Sequence, residues 1–569
     1  MYAKCIFMQN AYFFIHLLYG DNMAKTDYTS IRVTKEVRES LQNYVEECYN
    51  DLSINSMLKV HMGNLNDGHV RFPKFGMYEC PESRKQKMRS SINKKSIKKS
   101  ANNLSLTGSL PSDPYTRTES DTMGEMEVPK SALWGASTQR AILNFPISGI
   151  PMSRSFIRAL GYIKAGAAAA NAELGIIDNE MKDAIISASI SVADGNYDEH
   201  FPVDVFQTGS GTSTNMNANE VIATLSSEES GLKIHPNDHV NQGQSSNDVI
   251  PSALHLSALI EIEEDLCPAL LTLQNSLSIK SEEFMPIIKT GRTHLMDATP
   301  IRLGQEFLGY AGLIERSLDR LLLAKDELSL LALGGTAVGT GVNTKAKFSE
   351  LACQHISKFS GIDVYETDNH FLAQSSLDGA LTTSGVLRGL AVSLQKIAND
   401  IRLMGSGPRS GIAELSLPAV QPGSSIMPGK VNPVIPEAII QASSQAIACD
   451  TALVQSGQGG YFELNTMLPF AAHNLLQAVS LLSTSAEIFA TKCIDGLEAT
   501  EKGPELLMSG LMLATTLAPV IGYEKAAKIA KEAHKSGQTV LETSLDLTDL
   551  SEEELIEILN PEKMVKPND

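Results

Sequence analysis

Five short stretches of the chain concentrate Gly, Ser, Thr, Asn and His against a background that is 43% apolar. They run from Thr208 to Asn215, from His235 to Asp248, from Gly291 to Leu295, from Gly334 to Thr340 and from Gly423 to Asn432. Each alone reads as a loop or a helix cap, because Ser, Asn and Asp collect where backbone N–H groups are free to donate to them. Thr208 to Thr212 is not a phosphate loop of the G-x-x-x-x-G-K-[ST] kind. A lone histidine such as His294 is more often structural than catalytic. Taken together the stretches differ from ordinary loops, since polar groups accumulate with no apolar interleaving. Glycine-rich turns and helix starts present N–H groups to anions, and Lys430 adds a full positive charge. Such a set is a cradle for carboxylates. No flavin, nicotinamide or pyridoxal phosphate signature accompanies it, so the chemistry expected is proton transfer with addition or elimination and no cofactor.

The elements that must position these stretches are long helices. Pro251 is expected at a helix N-terminus, opening about 35 residues interrupted only by Pro268, and Ile301 to Leu331 holds no proline. Phe307, Ala311, Ile314, Leu318 and Leu321 recur at spacings of 4, 3, 4 and 3, and Leu387, Leu390, Leu394, Ile397 and Ile401 at 3, 4, 3 and 4. Such stripes are the seams of antiparallel helices in a bundle; they carry packing and no chemistry. Small residues (Ala165 to Ala170, Gly379, Gly385, Gly389) are expected to let helices approach closely. A chain so rich in amphipathic helices is expected to bury some stripes against other subunits.

The 569 residues allow roughly three to five domains at ~100–200 residues each. Up to Pro114 the chain holds 16 basic and 11 acidic residues; the remainder holds 31 and 55. The acidic bulk excludes phosphate neutralisation as the main activity, so nucleic acid is not an expected partner. Arg84 to Lys99 packs eight basic residues with no acid, and Asn102 to Pro114 reads as a linker. Ser30 to Lys35 reads as a short strand and Glu36 to Tyr49 as a helix, faintly like a ribbon-helix-helix arm; a solvated tail is the plainer reading. Met23 offers a second initiation point. Seven scattered cysteines form no C-x-x-C and no Cys/His ligand spacing, which disfavours zinc and iron–sulfur sites and fits a reducing, cytoplasmic setting. The longest apolar run, Ala11 to Tyr19, is nine residues, below the ~18 of a membrane span. It is followed by no small-x-small cleavage site.

With these residues in hand, the sequence resembles the class II fumarases of the fumarase/aspartase superfamily. Gly423 to Pro433 is similar to the superfamily's signature loop. Thr208 to Asn219, His235 to Asp248, Lys289 to Gly304, Gly334 to Thr344 and Phe462 to Asn465 resemble fumarase segments in the same order. The likeness runs from about Tyr115 to the C-terminus. It implies a mostly α, fumarase/aspartase-like fold with a long central helical bundle and smaller N- and C-terminal helical domains. The expected division is an extension over 1–114, an N-terminal lyase domain over 115–250, the bundle over 251–501 and a C-terminal helical domain over 502–569.

The resemblance further implies reversible, metal-free hydration of fumarate to (S)-malate in a homotetramer whose active sites draw on three subunits. Carried over, Ser424 is the base that takes the C3 proton of malate, and His294 handles the proton of the departing water. A serine base requires its alkoxide to be held by backbone N–H groups and a cation, which Gly423 to Lys430 can supply. A histidine is the easier assignment, since imidazoles titrate near neutral pH. Lys430 and Asn432 hold the aci-carboxylate formed when the proton leaves. Ser210, Gly211, Thr212, Ser245, Ser246, Asn247, Thr293, Ser425 and Val431 complete the substrate-binding set, and Glu437 pairs with His294. His235, Pro236, Asn237 and Asp238 match a second dicarboxylate site.

The alternative within the superfamily is aspartate ammonia-lyase. His294, where aspartases usually carry Gln, and Gly429, where they usually carry Ala, favour a hydratase; Val434 to Glu437 leans the other way. A non-catalytic scaffold with a nucleic-acid-binding arm is the remaining alternative. Ser551 to Leu559 reads as a capped, solvated helix of the C-terminal domain.

Overall fold

A computed structural model describes residues 115–567 and, of the stretch before them, the backbone of two strands. Those strands, β1 (Ser30–Arg32) and β2 (His69–Arg71), pair antiparallel with Ile31 opposite Val70. A strand therefore does begin at Ser30. The helix expected over Glu36 to Tyr49, the basic run and the linker lie outside the described residues. Spatial proximity divides the chain into Met1–Leu110 and Pro111–Asp569, and all that follows concerns the second unit.

That unit opens on a hairpin, β3 (Thr116–Asp121) with β4 (Gly124–Pro129). Four helices follow: α1 (Ala136–Asn144), α2 (Arg154–Glu173), α3 (Asn179–Ala193) and α4 (Thr212–Ser230). α2 is sheathed on almost every face, with Phe156, Leu160 and Ile163 fully buried. Gly166 makes this possible, because a Cβ there would lie 2.6 Å from the Ile356 side chain on α8 (Phe348–Ser360).

α5 (Ser246–Glu261), a five-residue π turn (Ile262–Leu266) and α6 (Cys267–Phe284) form a broken column. Pro251 lies inside α5 and not at its start. Ser245 and Asp248 cap the helix five residues earlier, and the single N–H that proline lacks is tolerated in the second turn. Pro268 sits at the first turn of α6, where a free N–H is not needed.

The bundle proper adds α7 (Leu303–Leu328), α9 (Asp378–Met404), α10 (Val434–Gly457) and α11 (Leu468–Phe489). α6 packs on α7, α7 on α9, α9 on α10 and α10 on α11. The α9 seam is wholly inside, with Leu387, Leu390, Leu394, Ile397 and Ile401 at most 1% exposed; on α7, Phe307, Ala311, Ile314 and Leu321 are buried, whereas Leu318 is only partly covered. Each of the buried Leu, Ile and Phe side chains stabilises the fold by about 1.5–3 kcal/mol relative to solvent. Of the small residues on α9, Gly379 lies against the His255 ring, whereas Gly389 faces open space within the chain. The opposite faces carry exposed apolar side chains, among them Leu308, Leu322, Leu323 and Val392.

Between α6 and α7 lies a second hairpin, β5 (Ile288–Thr293) with β6 (Met296–Arg302), broken by a bulge between Thr290 and Arg292. The C-terminal helices pack around their own core of Leu507, Leu513, Leu517, Ile529, Val540, Leu555 and Leu559. The helix over Glu552–Ile558 is capped as expected: Ser551 Oγ accepts from Glu554 N, and the Glu554 carboxylate accepts from Ser551 N. The cysteines of this unit, Cys267, Cys353, Cys449 and Cys493, are free thiols. Among the described residues no single helix is long and apolar enough to cross a membrane.

Candidate active site

Two of the polar stretches are joined directly. Gly211 ends the Thr208 loop in the left-handed region (φ 72°) and hands over to α4 at Thr212. Thr212 Oγ1 lies 2.9 Å from Ser210 Oγ and 2.7 Å from Ser246 Oγ, so three hydroxyls form a chain across the starts of α4 and α5. The loop is pressed on the backbone ahead of α11: a Cβ on Gly209 would sit 1.8 Å from the Thr466 carbonyl oxygen, and Leu468 N donates to Gly209 O at 2.9 Å.

The start of α5 is both cap and site. Ser245 Oγ accepts from Asn247 N, and Asp248 Oδ1 accepts from Ser245 N at 2.9 Å. The other carboxylate oxygen of Asp248 accepts from Gly334 N and Thr336 N, both at 2.9 Å. Asn247 Nδ2 donates to Ala337 O. Asp248 thereby ties the Gly334 to Thr340 stretch to the two already joined. Its burial pushes the carboxyl up, opposed by those three N–H donors and by Lys164.

Lys164 was not among the residues expected here. It is fully buried in the middle of α2, and its Nζ donates to Asn215 Oδ1, Asn241 Oδ1 and Gln244 Oε1 at 2.8, 3.0 and 2.9 Å. Burial pushes its ammonium down to about 7, against the pull of Asp248. The available signal was its position: one lysine in the run Ala159 to Ala170, otherwise almost wholly of small and apolar residues.

His235 heads a π turn over Pro236–Val240, its Nδ1 accepting from Asn237 N and Asp238 N at 3.3 and 3.1 Å. Asp238 Oδ2 lies 3.2 Å from the same nitrogen. His235, Asn237 and Asp238 face solvent.

The signature loop forms a closed ring of its own. Gly423 N donates to Lys430 O at 2.8 Å, and Asn432 Nδ2 donates to Gly423 O at 2.9 Å. Only glycine fits at 423, since a Cβ would lie 2.5 Å from the Lys430 carbonyl oxygen. Inside the ring, Ser424 Oγ accepts from Ile426 N at 3.2 Å and Met427 N at 3.1 Å. Two backbone donors aimed at one hydroxyl are what would hold an alkoxide. Ser425, Lys430 and Val431 are exposed around it. Glu437 stands in the first turn of α10, just beyond.

His294 occupies the tip of the β5–β6 hairpin. His294 and Leu295 both take left-handed backbone (φ 57° and 59°), and the flanking Thr293 and Met296 are paired. Thr293 and His294 are exposed. The hairpin base is anchored by charge: Glu414, 1% exposed, takes Lys289 Nζ at 3.1 Å and Arg292 in two parallel bonds, while Glu306 takes Lys289 from the other side. Burial raises Glu306, and the Lys289 ammonium opposes it. Hydrogen bonds connect the Thr208, His235 and Gly334 stretches, and among the described residues none joins the His294 hairpin or the Ser424 loop to them. Among the described residues no group of three His, Cys, Asp or Glu is placed to hold a metal ion.

The long helical bundle with polar loops at its helix starts matches a lyase family model over residues 124–448, which makes the chain a lyase. A model of the fumarase C C-terminus matches residues 513–566. A class II fumarate hydratase of Halobacterium salinarum is 51% identical over 454 residues, covering 79% of this chain and 97% of the relative. One of Corynebacterium glutamicum is 49% identical over 443 residues, covering 78% and 93%. The crystal structure of a class II fumarase from Schistosoma mansoni superposes with a TM-score of 0.78 at 37% identity, covering 80% of this chain and all of that one. The chain belongs to the class II fumarase family.

Proposed function

We propose that the protein is a fumarate hydratase that adds water reversibly across fumarate to give (S)-malate. The observation that carries the reading of the site is the Ser424 hydroxyl held by two backbone N–H groups inside the closed Gly423–Asn432 ring. In the dehydration of malate to fumarate, Ser424 Oγ, as alkoxide, takes the C3 proton. The electron pair moves into the neighbouring carboxylate, giving an aci-carboxylate that Lys430 and Asn432 stabilise. The C2–oxygen bond then breaks, and the hydroxyl leaves as water with a proton delivered by His294, which Glu437 orients. Hydration runs the same steps backwards. Ser210, Gly211, Thr212, Ser245, Ser246, Asn247, Thr293, Ser425 and Val431 bind the carboxylates and hydroxyl, and His235 to Asp238 form a second dicarboxylate site.

The active sites are assembled in a homotetramer from segments of three chains. Two features support this: the apolar side chains left exposed on α7 and α9, and the lack, among the described residues, of any hydrogen bond from the His294 hairpin or the Ser424 loop to the Thr212 group. The domain division is an extension over 1–114, a lyase domain over 115–250, the bundle over 251–501 and a small domain over 502–569. The setting is cytoplasmic.

The test follows the ultraviolet absorbance of fumarate with purified protein, with and without ammonium, beside Ser424→Ala. Loss of fumarate without ammonium that collapses in Ser424→Ala is expected. Loss only with ammonium would mark an aspartate ammonia-lyase and overturn the reading. Light scattering gives the subunit number, with four expected.

A further inference from the structure

Lys164 has no part in the proton transfers above, yet it is a buried cation in a helix of small and apolar neighbours. Removing an ammonium from water costs several kcal/mol unless its hydrogens are all taken up. Here they are, by three amide oxygens: one from the start of α4 and two from the His235 to Asp248 stretch. Asn215 lies in the first turn of α4, three residues after Thr212. Asn241 closes the π turn headed by His235. Gln244 lies two residues before Ser246. The acceptors are themselves linked, Asn215 Nδ2 donating to Asn241 Oδ1 and Asn241 Nδ2 to Gln244 O, both at 3.2 Å.

Filling space in a helix packed on almost every face requires no charge, so packing alone does not explain the lysine. Its location does. The starts of α4 and α5 bring partial positive charge together where Thr212 and Ser246 touch. The ammonium hydrogen-bonds groups at both starts, and the buried carboxylate of Asp248 is tied into the same stretches. Such a group of positive ends is completed by an anion in front of it.

We infer that Lys164 is a positioning residue for substrate: its ammonium, through Asn215, Asn241 and Gln244, fixes the start of α4 against the start of α5 so that Thr212 and Ser246 meet a dicarboxylate in one geometry. This rests on the proposed substrate-binding role of those hydroxyls. Lys164 acts from behind them and touches no reacting atom.

The test is the separation of KM from kcat in fumarate hydration by Lys164→Met, which keeps the length of the side chain and removes the charge. KM is expected to rise about tenfold or more, the effect of losing charge-assisted hydrogen bonds that align the binding groups, with kcat changed less than about threefold. A purely structural lysine would instead lower kcat in proportion to the folded fraction and leave KM as it was, and that result overturns the inference. Gln244→Met removes one acceptor of the ammonium, along with the bonds Gln244 Nε2 gives to Val240 O and Gln242 O, and is expected to raise KM in the same direction by less; it decides by the same separation if Lys164→Met yields no folded protein. Thr212→Val is run alongside. If it leaves KM unchanged, the substrate-binding reading fails and takes the inference with it; if it raises KM while Lys164→Met and Gln244→Met do not, the inference alone fails.

Discussion

Glu414 accepts from both terminal nitrogens of Arg292, at 3.0 and 2.8 Å, two residues before His294. The same carboxylate takes Lys289, which projects from the same strand. Glu414 itself belongs to the segment that leads into the signature loop. The exposed tip carrying His294 thus depends for its direction on a carboxylate that is 1% exposed. A bidentate, buried contact of this kind sets orientation as well as distance.

Glu414→Gln should therefore act twice. It leaves Lys289 and Arg292 short of a counter-charge, and breaking a buried pair from one side costs on the order of 3–5 kcal/mol. A lower melting temperature is expected, with kcat falling more than KM rises because the hairpin loses its fixed direction. Glu414→Asp, which keeps the charge, should recover part of both; calorimetry and fumarate hydration kinetics check the pair.

Gly423→Ala is expected to damage the reaction without damaging the fold. The added Cβ would meet the Lys430 carbonyl at 2.5 Å and Asn432 N at 2.9 Å, so the ring around Ser424 must open. The loop is exposed and outside the bundle core, so the melting temperature should hold. Misplacing a catalytic group by about 1 Å costs roughly a hundredfold in rate. A variant with normal kcat would show that ring closure does not matter to the base.

The helical seams were legible in the sequence because burial forces a period of three and four on any helix that covers a core. Phe307 to Leu321 and Leu387 to Ile401 show that period and are inside, apart from the partly covered Leu318. The polar stretches were legible because helix starts and tight turns need Ser, Asn and Gly. Pro251 misled, since proline marks a first turn only when no stronger cap precedes it, and Ser245 with Asp248 is such a cap. Lys164 stood out only as a lone lysine among small and apolar residues; what it contacts, like what Glu414 contacts, was not legible for a different reason. Their partners lie 51 to 125 residues away in the chain, and no local spacing announces a contact made across a bundle.

Gly209→Ala should loosen the substrate-binding side. A Cβ would fall 1.8 Å from the Thr466 carbonyl oxygen, backbone against backbone, so neither side can rotate away. The Thr208 to Thr212 loop must lift from the start of α11, carrying Ser210 and Thr212 with it. Overpacking of this kind costs about 1–3 kcal/mol or more. A fall in melting temperature together with a raised KM for fumarate and malate is expected, measured on the same preparation.

Glu261, the last residue of α5, provides a pH signature. Burial pushes its carboxyl up to about 7 from the ordinary 4.5, with Ser155 opposing, and its Oε2 is buried without a hydrogen-bond partner. Between those two values the folded chain holds a proton that the unfolded chain has lost. Stability therefore falls as pH rises through this window; the penalty is absent below it and complete above about 7. Its ceiling is about 3 kcal/mol. Glu261→Gln replaces the carboxyl by a neutral group of the same shape, so it should raise the melting temperature at about pH 8 and leave it nearly unchanged at about pH 4. A uniform gain at both pH values would mean that the amide improves packing or hydrogen bonding there, and that ionisation of Glu261 carries no cost.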